Sequence, residues 1–312
     1  MSLLRISLFG GLRIAHDGRP SEVKVTRTLQ AMLGYLLLQR HRSHPREVLA
    51  GLFWGNYTDE RARNCLNTTL WRLRQILEPE GIPRGAYLRA GSIGEVGFNL
   101  ESNHWLDVAV FEEQVSGVLA QPVQTLEEAG VRELKNVLQL YSGELLEGLY
   151  DDWALRERER LRLMYLSGLE HLMHYYKLCG DNRKSQACGQ QILYHDPLRE
   201  EIHREMMRLY LESGQQAMAV RHYELCRDIL AKELGIQPME ETQALYAQIV
   251  QLAGHSQRQS TGTWEQHSLQ QALHQLHRTT ETLDEAQKRL QHALQFLERS
   301  AKDQDQGKMN VE

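Results

Sequence analysis

Arg61-Ala-Arg-Asn-Cys-Leu-Asn-Thr-Thr-Leu-Trp-Arg-Leu-Arg-Gln-Ile-Leu77 decides how the first third of this chain is read. Leu66, Leu70, Leu73 and Leu77 recur at offsets of 4, 7 and 11, which puts them on one face of a helix. The opposite face carries Asn64, Asn67, Thr68, Trp71, Arg72 and Gln75, with Arg61, Arg63 and Arg74 on its flanks. No Asp or Glu occurs from Arg61 to Ile76. A solvated helix usually mixes acids with bases on its outer face. Amides and guanidiniums without carboxylates suit DNA readout instead. Arg donates to guanine and to phosphate oxygens, and Asn pairs with adenine in the major groove.

The flanking sequence predicts what holds this helix. Leu4, Ile6 and Leu8 alternate as one side of a strand, Gly10-Gly11 break it, and Leu12 and Ile14 resume it before a turn at His16-Asp-Gly-Arg-Pro20. Leu29, Leu33, Leu36 and Leu37 predict a helix over 26–40, and a shorter one follows near Arg46–Phe53. Thr58 or Asp59 is the expected N-cap of the Arg61–Leu77 helix. The Gly-rich stretch 86–100 predicts a hairpin, in which Arg89 is the cation. Gly91-Ser-Ile-Gly94 is a turn and not a phosphate loop, because no Lys follows it. Strands, three helices and a hairpin is the order of a winged helix whose third helix is the reader.

Charge supports a division of labour. Residues 1–100 hold 14 Lys and Arg against 8 Asp and Glu, whereas the remainder holds 22 against 33. A basic reader joined to an acidic partner region fits that asymmetry better than the net charge of −5 suggests. Cys65, Cys179, Cys188 and Cys226 form no C-x-x-C pair, and no apolar run reaches the ~18 residues of a membrane span. A reducing cytoplasm is the expected compartment, without membrane association. No nucleophile, paired acid or metal-ligand spacing recurs, so no enzyme activity, cofactor or metal is expected. His171 and His174 lie three apart but lack a thiol or acidic partner at matching spacing.

Residues 104–252 read as helical throughout. Gly180 and Gly214 lie 34 residues apart, each opening a similar helix, which is the tetratricopeptide (TPR) period. Each Gly is expected to let one helix pack closely on the next. Residues 253–263 are small and polar and read as a linker. Leu269, Leu276, Leu283, Leu290 and Leu297 then recur every seven residues, with Leu273 and Leu294 at the alternate seam positions. That is a leucine-zipper register over 264–300, and it predicts a homodimer. Residues 301–312 read as a disordered tail. The expected fold is thus mainly α with a small β component. It comprises a winged helix-turn-helix over 1–100, a TPR-like helical domain and a coiled-coil helix.

The assembled motifs resemble the SARP-type bacterial transcriptional activators, which join an OmpR-like winged helix to a bacterial transcriptional activator domain (BTAD). Leu3-Leu-Arg-Ile-Ser-Leu-Phe-Gly-Gly-Leu-Arg-Ile14, Leu52-Phe-Trp-Gly55 and Ala62-Arg-Asn-Cys-Leu-Asn67 are similar to the family's opening and helix-turn-helix. Asp152-Trp-Ala-Leu-Arg156, His195-Asp-Pro-Leu-Arg-Glu-Glu201 and Leu230-Ala-Lys-Glu-Leu-Gly-Ile-Gln-Pro238 are similar to BTAD signatures. Trp71 stands where the family more often has a small polar residue, and Gly97-Phe-Asn-Leu100 ends the wing differently. The resemblance implies binding of double-stranded DNA at promoter direct repeats. It also implies recruitment of RNA polymerase through the 55–60 loop and the helical domain. The alternative is a TPR-like adaptor for proteins, with a vestigial winged helix.

Overall fold

The structure is a computed structural model that describes residues 3–21, 25–91 and 94–259, with side chains to 252, and also Gln275, Leu276 and Arg278. The chain divides into two units, 1–243 and 244–312. Mainly helical architecture with a small β component is observed, as the sequence predicts.

The first unit opens on β1 (Leu4–Ser7) and β2 (Arg13–His16), paired antiparallel through Gly10 and Gly11, both at positive φ. β3 (Arg19–Pro20) extends this sheet on one side. α1 (Arg27–Leu38) is capped by Thr26, whose hydroxyl accepts from the Leu29 amide. β4 (His44–Pro45) leads into α2 (Arg46–Trp54), and α3 (Asp59–Leu77) follows a short loop. β5 (Leu88–Ala90) and β6 (Glu95–Phe98) form the hairpin, with β4 on the outer side of β6. Leu66, Leu70, Leu73 and Leu77 are all buried, so the apolar stripe of α3 is its core face.

The two-residue strands β3 and β4 were not legible in the sequence, nor was a third strand. β7 (His104–Leu106) lies parallel to β1, at the opposite edge from β2, where the sequence reads as the start of a helical region. Asp107, the next residue, is buried at 3% exposure. Its carboxylate accepts from the amides of Leu8, Phe9 and Val108 at 2.8–3.1 Å. Burial pushes its pKa up, and those three donors oppose the shift. It thus ties β1 to the first helix of the second region, α4 (Asp107–Leu119).

α5 (Glu128–Leu138) is followed by a non-helical stretch that the sequence also reads as helix. This stretch returns to the N-terminal sheet. Phe9 bridges to Leu145, the Leu146 amide donates to the Leu8 carbonyl, and the Gly10 amide donates to the Glu144 carbonyl. Leu146 also packs against α1. A Cβ on Gly34 would lie 2.6 Å from a Leu146 methyl, so only glycine permits that approach. The reader region and the helical region therefore share a core.

α6 (Asp152–Leu178), α7 (Asn182–His195), α8 (Glu200–Glu212) and α9 (Gln216–Leu234) then pack each on the next. The two glycines of the 34-residue period act differently from the sequence expectation. Gly180 and Gly214 sit at φ +72° and +70°, one residue past the C-caps of α6 and α8. A Cβ on either would meet nothing within 4 Å. They are helix stops in Schellman geometry: the Asp181 amide donates to Tyr176, and the Gln215 amide to Tyr210. Close packing instead falls to Gly189, whose Cβ would lie 2.4 Å from Met206 Sδ.

In the second unit, α10 (Glu240–Gln259) continues from the first and runs seven residues into the stretch read as linker. Gln, Arg and Ala favour helix there, and Gly254 is tolerated. Of the zipper positions, Leu276 is helical and 47% exposed; Leu269, Leu273, Leu283, Leu290, Leu294 and Leu297 lie outside the described residues, as does the 301–312 tail.

Candidate nucleic-acid interface

α3 is held from two sides. Its leucines face the core, and α2 packs beside it, as in a helix-turn-helix pair. Its C-cap, Glu78, accepts from the amides of Tyr87 and Leu88, both at 3.0 Å, which locks the root of the hairpin to the helix end. The orientation of α3 relative to the wing is therefore set by a carboxylate outside the reading face.

The polar face stands open to solvent. Arg61, Arg63, Asn64, Asn67, Thr68, Trp71, Arg72 and Gln75 are all exposed. Trp71 is 61% exposed, so most of its indole is open to solvent. The guanidinium of Arg61 lies over the Tyr57 ring at 4.4 Å, a cation–π contact that leaves its charge unneutralised. Thr68 donates back to the Asn64 carbonyl at 2.9 Å, so its hydroxyl is turned along the helix. Arg61, Asn64, Thr68 and Arg72 line a shallow groove with Thr26 and Thr28 of the α1 N-terminus.

Two of the sequence-selected cations do not point outward unspent. Arg74 is half-buried and donates to the Leu88 carbonyl at 3.4 Å, so it braces α3 against β5 and does not stand free on the flank of the polar face. Its position explains this: it lies one turn beyond Leu70, at the flank of the apolar stripe. Arg89 in the hairpin pairs with the exposed Glu101. Such an exposed pair adds little stability, but it offsets the positive charge of the wing. Conversely, Arg46 was missed. It lies at the start of α2, and its guanidinium donates to Asn67 Oδ1 on the reading face. Nothing local marks it, because the two residues are 21 apart in sequence.

Residues 106–250 match the family model described as bacterial transcriptional activator domain. The chain is similar to regulatory protein AfsR of Streptomyces coelicolor, at 29% identity over 252 residues. It is also similar to transcriptional regulatory protein EmbR of Mycobacterium tuberculosis, at 26% over 251 residues, and to transcriptional regulatory protein MoaR1 of the same species, at 27% over 233. The domain match and these relatives together support a SARP-type bacterial transcriptional activator. These SARP-type matches cover 80%, 79% and 71% of this chain, and 24%, 63% and 71% of AfsR, EmbR and MoaR1. The chain thus spans about a quarter of the length of AfsR. Among solved structures, Mycobacterium tuberculosis EmbR in complex with a low affinity phosphopeptide superposes with a TM-score of 0.66. That likeness covers 81% of this chain and 66% of the other at 24% identity, and it shows that the two share a fold. No helix among the described residues is long and apolar enough to cross a membrane.

Proposed function

We propose that this SARP-type chain is a sequence-specific DNA-binding regulator of transcription, an activator that binds promoter direct repeats and recruits RNA polymerase. The carrying observation is the open face of α3, which holds no Asp or Glu from Arg61 to Leu77; the acids of this helix, Asp59 and Glu60, lie in its first turn. Arg61, Arg63 and Arg72 have no carboxylate within ion-pair distance among the described residues, although the fold is otherwise dense with Arg–Glu pairs. Unpaired guanidiniums across and beside one open helix face are the electrostatic footprint of a polyanion site. Asn64, Asn67, Thr68, Trp71 and Arg72 read base edges in the major groove. Arg61 and Arg63 hold phosphate, and the hairpin lies at the neighbouring minor groove.

Recruitment of polymerase is assigned to α2 and the loop after it. Val48, Leu52 and Tyr57 are 53%, 45% and 44% exposed, an apolar set beside the reader that suits a protein partner. The zipper leucines pair two copies on adjacent half-sites, which raises the local concentration of the second reader. Cytoplasmic location and the absence of catalysis go with this reading.

The test is a mobility shift of the full chain on duplexes enriched from a random pool. Arg63→Ala with Arg72→Ala weakens binding about tenfold or more, and lowers the slope of log affinity against log salt by about 0.9 for each phosphate that is no longer neutralised. Unchanged binding and slope would favour the adaptor reading, in which the winged helix is vestigial.

A further inference from the structure

Asn67 is the member of the reading face whose amide is held by a residue of another element. Arg46 begins α2, and its backbone amide donates to the Gly94 carbonyl in the wing turn at 3.3 Å. The preceding residue, Pro45, pairs in register with Glu95 of β6, so the backbone at this point is part of the wing sheet. The side-chain stem passes beside the same turn: a Cβ placed on Gly94 would lie 3.9 Å from Arg46 Cδ. From there the guanidinium reaches α3 and donates to Asn67 Oδ1. Arg46 is therefore anchored by a backbone hydrogen bond and by sheet register before it touches the reader.

A guanidinium carries donors and no acceptor. It can face only the oxygen end of an amide, so it removes the two-fold flip that a free asparagine has on a helix surface. With the oxygen turned toward Arg46, the Nδ2 donors are held on the far side, and the second lone pair of Oδ1 stays open. Donor and acceptor side by side, in a known order, is the edge that adenine's N7 and N6 require. Fixing it before binding lowers the ordering cost of the complex.

We propose that Arg46, although outside the reading helix, sets base preference by orienting the Asn67 amide. It is a positioning residue for an adenine contact made by Asn67. The inference rests on the DNA-reading assignment above, and it deepens that assignment to one residue pair and one base.

The experiment enriches a randomised duplex library on the full chain, wild type and variants, and compares the motifs column by column. Asn67→Ala identifies the column that Asn67 reads. Arg46→Ala lowers the adenine preference in that same column by about tenfold, the scale of one bidentate pair, while the other columns keep theirs. Arg46→Met keeps the stem against Gly94 and gives the same flattened column, which separates orientation from packing. Arg46→Lys, whose ammonium likewise carries donors and no acceptor, restores most of the adenine preference in that column. Should every column survive in Arg46→Met while affinity drops uniformly and the salt slope falls by about 0.9, Arg46 is a phosphate contact and the inference is overturned. Enrichment by wild type of a motif with no column sensitive to Asn67→Ala overturns it as well, and leaves DNA reading intact. Failure of the wild type to enrich any duplex removes the DNA-reading assignment itself.

Discussion

The arginines of α3 and those of α6 are put to opposite uses. On α6, Arg158 donates to the carbonyls of Leu145, Leu146 and Leu149 and pairs with Glu144; Arg160 pairs with Glu112 and Glu157; Arg162 pairs with Glu159 and Asp196. On α3, Arg61, Arg63 and Arg72 have no such partners among the described residues, and only Arg74 turns to a carbonyl. Both helices show Arg at short spacing in the sequence. What differs is whether carboxylates and chain ends come within reach. A satisfied guanidinium stabilises the fold that surrounds it, whereas an unsatisfied one remains available for a phosphate.

The largest effect that would sharpen this contrast is expected at Arg158. Its side chain is 12% exposed and serves three carbonyls of the stretch that returns to the N-terminal sheet. Arg158→Ala should cost about 3 kcal/mol, because it strands buried acceptors; the shift in denaturant midpoint measures it. A loss no larger than that of a surface arginine would break the comparison.

Acid should attack the helical region next. His203 and His222 sit within hydrogen-bond distance between α8 and α9, and His203 also bonds the Pro197 carbonyl. Burial lowers both, His222 to about 4, while Glu200 and Glu201 oppose the shift on His203. The unfolded chain then takes up the proton first. The contribution is present in full above about 6.5 and is lost as pH falls toward about 4, amounting to about 3 kcal/mol at the lower end. Thermal unfolding of wild type and His222→Phe across that window checks it; parallel curves would remove the assignment.

Glycine supplies the third prediction. Gly189→Ala presses on Met206 Sδ and should cost about 1–2 kcal/mol through overpacking. Gly180→Ala meets no atom within 4 Å and costs the left-handed backbone alone, about 1 kcal/mol. Chemical denaturation separates them, and Gly189→Leu, which cannot be accommodated by a flexible methionine, should widen the gap. The smallest effect belongs to the reader: Arg63→Ala should change stability by less than about 0.5 kcal/mol, whatever it does to DNA. A larger loss would mean that the arginine has a structural partner, and would collapse the distinction from α6.

What the candidate site owes to sequence varies by residue. Asn64, Asn67, Thr68, Trp71 and Arg72 could be placed on the polar face of α3 from spacing alone, since they lie far round the helix from the leucines. Arg74 could not, because a residue at the edge of an apolar stripe turns inward or outward according to what lies beside it, here Leu88. Arg46 carried no signal at all, as its partner is on another element.

Taken by itself, the amino-acid order determined the helices, their buried faces, the wing hairpin and the 34-residue period. These depend on interactions three or four residues apart in a helix, or two apart in a strand, so they are written in local spacing. Only the tertiary structure decided that β7 joins β1, that Asp107 reaches back 99 residues to the Leu8 amide, and that Gly189, not Gly180, is where helices meet. Those contacts join segments whose local patterns are each complete without the other, so no periodicity announces them, and they exist only once the chain has closed on itself.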